Sequence, residues 1–123
     1  MKHPFAEHIG LRFTEQAAGR SRCELAIAPE HLNPHHVVHG AVVFALADTG
    51  MGAALYPTLE EGESCATIEI KINYFRPATK GTLVCETTLL NRGKTVANLE
   101  SKVYLAGTLV AAANGNYAIL RRR

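Results

Sequence analysis

The sequence predicts an α+β fold in which a curved antiparallel sheet wraps around one central helix. The stretch from Ala41 to Tyr56, AVVFALADTGMGAALY, has no strand alternation, is apolar on all faces and is rich in Ala and Gly. It therefore reads as a buried helix. About six strand-like runs lie before and after it, separated by turn-forming residues that suit antiparallel neighbours. A helix with no polar face needs apolar cover all round, and a sheet that curls about it is the arrangement that supplies this. At 123 residues and 47% apolar, the chain can fill one compact core and not two, so residues 1–123 are expected to form a single domain.

The elements follow in order. Pro4 to Ile9 is a short amphipathic segment, and Leu11 to Ala28 then alternates as a hairpin that turns at Ala18-Gly19. The helix comes next and is ended by Pro57. Four further strands are centred on Cys65 to Phe75, Thr82 to Leu90, Thr95 to Leu105 and Thr108 to Leu120. Pro77 through Gly81, Asn91-Arg92-Gly93 and Gly107 punctuate them. In the first of these strands Ile68, Ile70, Ile72 and Tyr74 are expected on one apolar face, with Thr67, Glu69, Lys71 and Asn73 on the other.

Composition excludes several classes of function. Charged residues make up 20% and the net charge is +2, unlike a nucleic-acid-binding protein or an acidic disordered tail. Arg121-Arg122-Arg123 reads as a frayed, solvated end. Cys23, Cys65 and Cys85 are odd in number and widely spaced, which favours a reducing compartment. Cys23 and Cys85 fit the inner faces of strands. His3, Pro4 and Glu7 interrupt the apolar run that a signal peptide needs, and Asp48 stands inside a helix too short to cross a membrane. A cytoplasmic protein that binds neither membrane nor nucleic acid is the expectation.

The chemistry concentrates between Asn33 and Asp48, NPHHVVHGAVVFALAD. Asp48 is the only ionisable residue between Gly40 and Tyr56. Burying a lone carboxylate costs several kcal/mol unless it is hydrogen-bonded or neutralised. It is therefore either a structural aspartate bonded within the core or a carboxylate of perturbed pKa acting as nucleophile or general base. Gly40 falls in the first helical turn, where N–H groups lack intrahelical partners and the dipole is positive. Without a Cβ, such a residue lets a carbonyl approach those N–H groups as an oxyanion hole; an ordinary junction glycine is the other reading. Gly40 and Asp48 are eight positions apart, about 12 Å along one helix. One reacting carbon cannot touch both. If both act on it, Asp48 comes from a second copy related by a two-fold axis.

The order Asn33, His39-Gly40, Asp48 and then the strand TIEIKINYFRPA resembles the hotdog-fold acyl-CoA thioesterases, specifically their phenylacetate-degradation branch, over nearly the whole chain. The resemblance implies a hotdog sheet wrapped around the helix, two protomers sharing a continuous sheet, and commonly a dimer of dimers. It implies hydrolysis of a small acyl-CoA or aryl-CoA with no metal and no redox cofactor. It matches Asp48 to the nucleophile or base, Gly40 to the oxyanion-hole N–H, Asn33 to the side chain near the carbonyl and water, and Thr67 to the hydroxyl that helps orient the water. Where the family has His-Gly-Gly, this chain has His39-Gly40-Ala41. Alanine is the better helix former and could narrow the acyl pocket. His39 is expected to order the loop.

For the CoA moiety the candidates are Arg76 and the turn Asn91-Arg92-Gly93-Lys94, which could set cations and free N–H groups against phosphates; a solvated hairpin with incidental basic residues is the plainer reading. His35, His36 and His39 invite a zinc hypothesis, but their spacing is not that of a known motif and no cysteine or carboxylate completes a site. Two rivals stand beside a homodimeric or homotetrameric thioesterase. One is a non-catalytic acyl-CoA-binding module, which would not need the helix carboxylate. The other is a hotdog dehydratase or hydratase, whose paired histidine and acid are not found here.

Overall fold

Pro4, which has no N–H to leave unpaired, begins α1 (Pro4–Ile9) in the computed structural model, which describes residues 2–122. The His3 ring accepts from the Ala6 N–H at 3.1 Å, and Gly10, at φ 81°, closes the other end. A hairpin of β1 (Leu11–Ala17) and β2 (Arg20–Ala26) follows, turning where Gly19 supplies φ 82°. The central helix α2 (Gly40–Leu55) is capped by His39. Pro57 does not stop the chain outright: the last turn tightens into a 3₁₀ helix at Tyr56–Thr58, whose first turn accommodates a proline. Strands β3 (Glu63–Tyr74), β4 (Thr82–Arg92), β5 (Val96–Leu105) and β6 (Thr108–Arg121) complete the fold.

The six strands form one antiparallel sheet in the order β1-β2-β4-β5-β6-β3, and α2 touches every one of them. The inward rows are read directly from strand alternation: Ser21, Cys23 and Leu25 on β2, Leu83, Cys85 and Thr87 on β4, Ala97, Leu99, Ser101 and Val103 on β5, and Ala111, Ala113, Gly115, Tyr117 and Ile119 on β6. Cys23 and Cys85 lie opposite each other in the β2–β4 register, fully buried. Arg121 belongs to β6 opposite Glu63 and ion-pairs with it at 3.1 Å, so the expected frayed end does not include it; Arg123 lies outside the described residues.

The helix approaches the sheet closely because small residues and hydroxyls line the contact. A Cβ built on Gly50 would stand 2.5 Å from the Thr87 hydroxyl, and one on Gly115 would stand 2.8 Å from the Met51 sulfur. Ser21 Oγ donates to the Gly50 carbonyl at 2.6 Å and Ser101 Oγ to the Ala47 carbonyl at 3.0 Å, so the polar atoms under the helix are paired.

One expectation is corrected. Thr67 pairs with Tyr117 and Glu69 with Asn116, so two steps on β3 oppose one on β6 and Ile68 is the extra residue of a β-bulge. The bulge resets the alternation. Thr67 turns to the helix side with Ile70 and Ile72, while Ile68, 54% exposed, leaves the apolar row.

The tight contact at Gly50 predicts that Gly50→Val destabilises the protein by about 1–3 kcal/mol or more through overpacking. A Cβ on Gly52 meets nothing within 4 Å, so Gly52→Ala should stabilise by up to about 1 kcal/mol. Urea unfolding of the two variants beside the parent measures both.

Candidate active site

Asp48 sits midway along α2, half-buried, where the helix passes the end of β6 and the bulged part of β3. Two hydroxyls converge on one carboxylate oxygen. Thr67 Oγ1 donates to Asp48 Oδ1 at 2.9 Å, and the Tyr117 phenol makes a short hydrogen bond to the same atom. The phenol oxygen also stands 2.7 Å from the Asp48 carbonyl oxygen. Burial, and then the contact with Asp48, push the Tyr117 phenol well above its ordinary range, so it remains a protonated donor. Asp48 Oδ2 has no protein partner among the described residues, and Asp48 lines a groove of about 760 Å³. Phe5, Phe13, Tyr56, Cys65 and Thr67 also line that groove, making it largely apolar around one acid.

Gly40 lines a different, smaller depression of about 310 Å³ together with Val43, Tyr74, Arg76 and Ala78. The Ala41 N–H is taken by the His39 ring at 2.9 Å and the Val42 N–H by the His39 carbonyl at 2.9 Å. Of this first turn, the Gly40 N–H is left without a partner among the described residues. The Tyr74 hydroxyl donates to the Gly40 carbonyl at 2.9 Å, and a Cβ on Gly40 would stand 3.2 Å from that ring. Within one chain Gly40 and Asp48 thus face separate cavities.

His39 is the N-cap of α2. Asn33 shapes the preceding loop: its Oδ1 accepts from the His35 N–H at 2.8 Å and the Val37 N–H at 3.3 Å, while His36 takes φ 64°. His35 and His36 point to solvent, and among the described residues no three His, Cys, Asp or Glu side chains gather as a metal site would require.

The four residues considered for CoA separate into two places. Arg76 is exposed just beyond β3. Arg92, Gly93 and Lys94 lie at the far end of β4, a strand of 11 residues that is about 34 Å long. Lys94 is exposed. Arg92 is held inward by Glu63 at 2.8 Å, the Thr58 hydroxyl and carbonyl at 3.3 Å, and the Gly93 carbonyl at 2.7 Å. The Glu60 N–H, followed by the guanidiniums of Arg92 and Arg121, holds the Glu63 carboxyl below the usual carboxylate range against the opposing effect of its burial. Gly93 is required by a close approach, since a Cβ there would stand 2.4 Å from the Val96 carbonyl.

Tyr117 and Tyr74 escape a reading of residue spacing. Tyr117 carried one signal: it is the single hydroxyl-bearing aromatic in the inward row Ala111, Ala113, Gly115, Tyr117, Ile119. Tyr74 was assigned to a face, but nothing in the sequence connects it to Gly40, which is 34 residues away.

Comparison with known proteins agrees with this architecture. The chain matches the family model described as Thioesterase superfamily over residues 35–112, more than half its length. It is 33% identical over 88 residues to human acyl-coenzyme A thioesterase 13, covering 71% of this chain and 62% of that protein. It is 28% identical over 97 residues to the proofreading thioesterase EntH of Klebsiella pneumoniae, covering 79% of this chain and 71% of that one. A solved structure of a variant of the phenylacetic acid degradation protein PaaI from Thermus thermophilus superposes with a TM-score of 0.90 at 25% identity, covering 96% of this chain and all of the other. With its six-stranded sheet wrapped on one helix in the hotdog manner, the chain belongs to the thioesterase superfamily and is a thioester hydrolase.

Proposed function

We propose that this hydrolase cleaves a small acyl-CoA or aryl-CoA thioester to the free acid and CoA, with Asp48 as its catalytic carboxylate. The observation that carries the reading is the state of that carboxylate: one oxygen is fixed by two hydroxyls, the other has no partner among the described residues, and the residue lines a largely apolar groove. Two of the relatives are named thioesterases, one of them for acyl-coenzyme A. As a general base, Asp48 takes a proton from water, and the hydroxide adds to the thioester carbon. The oxyanion is met by the Gly40 N–H at the helix start. Collapse expels the CoA thiolate, which recovers the proton from Asp48. As a nucleophile, the same carboxylate would attack the thioester carbon and expel the CoA thiolate, and water would then open the resulting mixed anhydride to the free acid and Asp48, its spare proton going to the thiolate. Asn33, whose oxygen takes the loop bonds and whose amide N–H groups have no partner among the described residues, is assigned to the carbonyl and water. Thr67 holds Asp48, and His39 keeps the helix start in place.

The site is proposed to form between two copies. Asp48 and Gly40 face separate cavities on one chain, and β3 is a long edge strand whose backbone is unpaired on one side, beside exposed Ile68, Tyr74 and Phe75. Antiparallel pairing of two β3 edges about a two-fold axis would bring Asp48 of one copy toward Gly40 of the other. It would also bring Arg76 of one copy toward the turn holding Arg92, Gly93 and Lys94 of the other, where a CoA could span both. A homodimer, further paired as a tetramer, acting in the cytoplasm as a single domain over residues 1–123, is the assembly we assign. Among the described residues, no helix is long and apolar enough to cross a membrane.

Asp48→Asn keeps shape and hydrogen-bonding capacity while removing the charge. Its kcat on a panel of acyl-CoAs is expected to fall at least ~10²-fold with assembly and thermal stability intact or improved. Near-parental hydrolysis by this variant would refute the catalytic assignment. Mixing Asp48→Asn with Gly40→Val chains should restore part of the activity in hybrid dimers, since one of their two sites keeps both residues; sedimentation should show a dimer or tetramer, and a fully active monomer rules out the shared site. Arg76→Ala and Lys94→Ala should raise KM for CoA esters with kcat nearly unchanged, the pattern of lost uniform binding. A fall in kcat on short thioesters lacking the nucleotide would show that these two cations act elsewhere.

A further inference from the structure

We infer that Tyr117 is a positioning residue for the hydrolysis: together with Thr67 it saturates Oδ1 of Asp48 and so leaves Oδ2 as the one oxygen that meets water or the thioester. The inference rests on the catalytic assignment of Asp48 above. An aspartate's terminal torsion is soft and roughly two-fold, so an unrestrained carboxylate exchanges its two oxygens readily. Here two donors reach the same oxygen from neighbouring strands, Thr67 on β3 and Tyr117 opposite it on β6.

The phenol is 4% exposed and its oxygen is close to both the side chain and the carbonyl of the same residue, so Asp48 is gripped at two points. One O–H proton cannot serve both acceptors fully, and the carboxylate, as the charged one, makes the stronger bond. Because the ring is buried and its phenol does not ionise near neutrality, it stays a donor across the working pH range. Tyr117 therefore acts on Asp48 by geometry: with Thr67 it holds Oδ1 and so sets which oxygen is left for a substrate or water. The β3 bulge at Ile68 is what allows the pair to form, since regular alternation on β3 from Ile70 would turn Thr67 to the outer face.

The test uses the full chain and whichever of hexanoyl-CoA or phenylacetyl-CoA the parent hydrolyses faster. Tyr117→Phe keeps the ring and removes one donor. Its kcat should fall about 10- to 100-fold with KM little changed, the scale of a displaced reacting group. Thr67→Val should lower kcat in the same way with KM little changed, and Thr67→Ser, which keeps a hydroxyl, should restore it. A Tyr117→Phe protein with a lower Tm but parental kcat would show a purely structural tyrosine and overturn the inference. Should that variant not fold, parental kcat in Thr67→Val overturns it equally. If Asp48→Asn is inactive while both donor variants keep the parental kcat, this inference alone falls; if Asp48→Asn stays active, the catalytic assignment falls with it.

Discussion

The site depends first on how closely α2 lies on the sheet. Side chains of ordinary size at Gly50 and Gly115 would hold the helix off, and the space they leave is occupied by Thr87 and Met51. Close packing over polar strand residues would be unfavourable if their hydroxyls were orphaned. Ser21 and Ser101 instead donate to the Gly50 and Ala47 carbonyls, and Thr87 bonds Ser101 at 2.7 Å. The same contact fixes the height of Asp48 above the strands to within hydrogen-bond reach of Tyr117 and Thr67. A precise carboxylate is thus a consequence of small residues two positions from Asp48 on the helix and two positions from Tyr117 on β6.

The fold was legible from the chain because its signals are strong and local. The apolar helix without alternation and the turns at Gly19, Gly93 and Gly107 each belong to a few adjacent residues. Element bounds read from them differ from the structure by only a residue or two, as between Cys65–Phe75 and Glu63–Tyr74. Asp48 was legible for a related reason: an acid in a helix otherwise without charge is conspicuous by chemistry alone. Its partners were not. Tyr117 is 69 residues away, and the bulge that turns Thr67 toward it depends on a register between β3 and β6 that alternation within one strand cannot show. A period-two reading carries through a bulge and assigns everything beyond it to the wrong face.

The basic turn illustrates the same limit for charge. Arg92 and Lys94 are two positions apart and look equivalent in a hairpin. Arg92 makes a fork of bonds to Glu63, Thr58 and Gly93 that ties the end of α2 to β3 and β4, while Lys94 remains in solvent. A planar guanidinium can serve three acceptors at once, which an ammonium on a flexible stem does less well. Because Glu63 is almost wholly enclosed, removing Arg92 would leave a buried carboxylate short of a partner, a change that acts on folding before it acts on any ligand. Arg76 and Lys94, both exposed, are where a ligand's phosphates would be felt without that confusion.

The distance between the two proposed catalytic groups connects chemistry to assembly. Gly40 lies beside Tyr74 at one end of α2, and Asp48 lines another cavity further along it. A helix is stiff on the scale of one thioester, so no local rearrangement brings these groups together within a chain. Each half-site is nevertheless built with care: the first is held by a tyrosine hydroxyl on the Gly40 carbonyl, the second by a tyrosine hydroxyl on the carboxylate. Two rigid halves that cannot meet within one molecule, on either side of an uncovered strand edge, are what a two-fold partner would complete. In the proposed two-fold assembly the oligomer would be part of the catalyst, because the spacing that separates the halves in one chain would let two antiparallel helices match them twice.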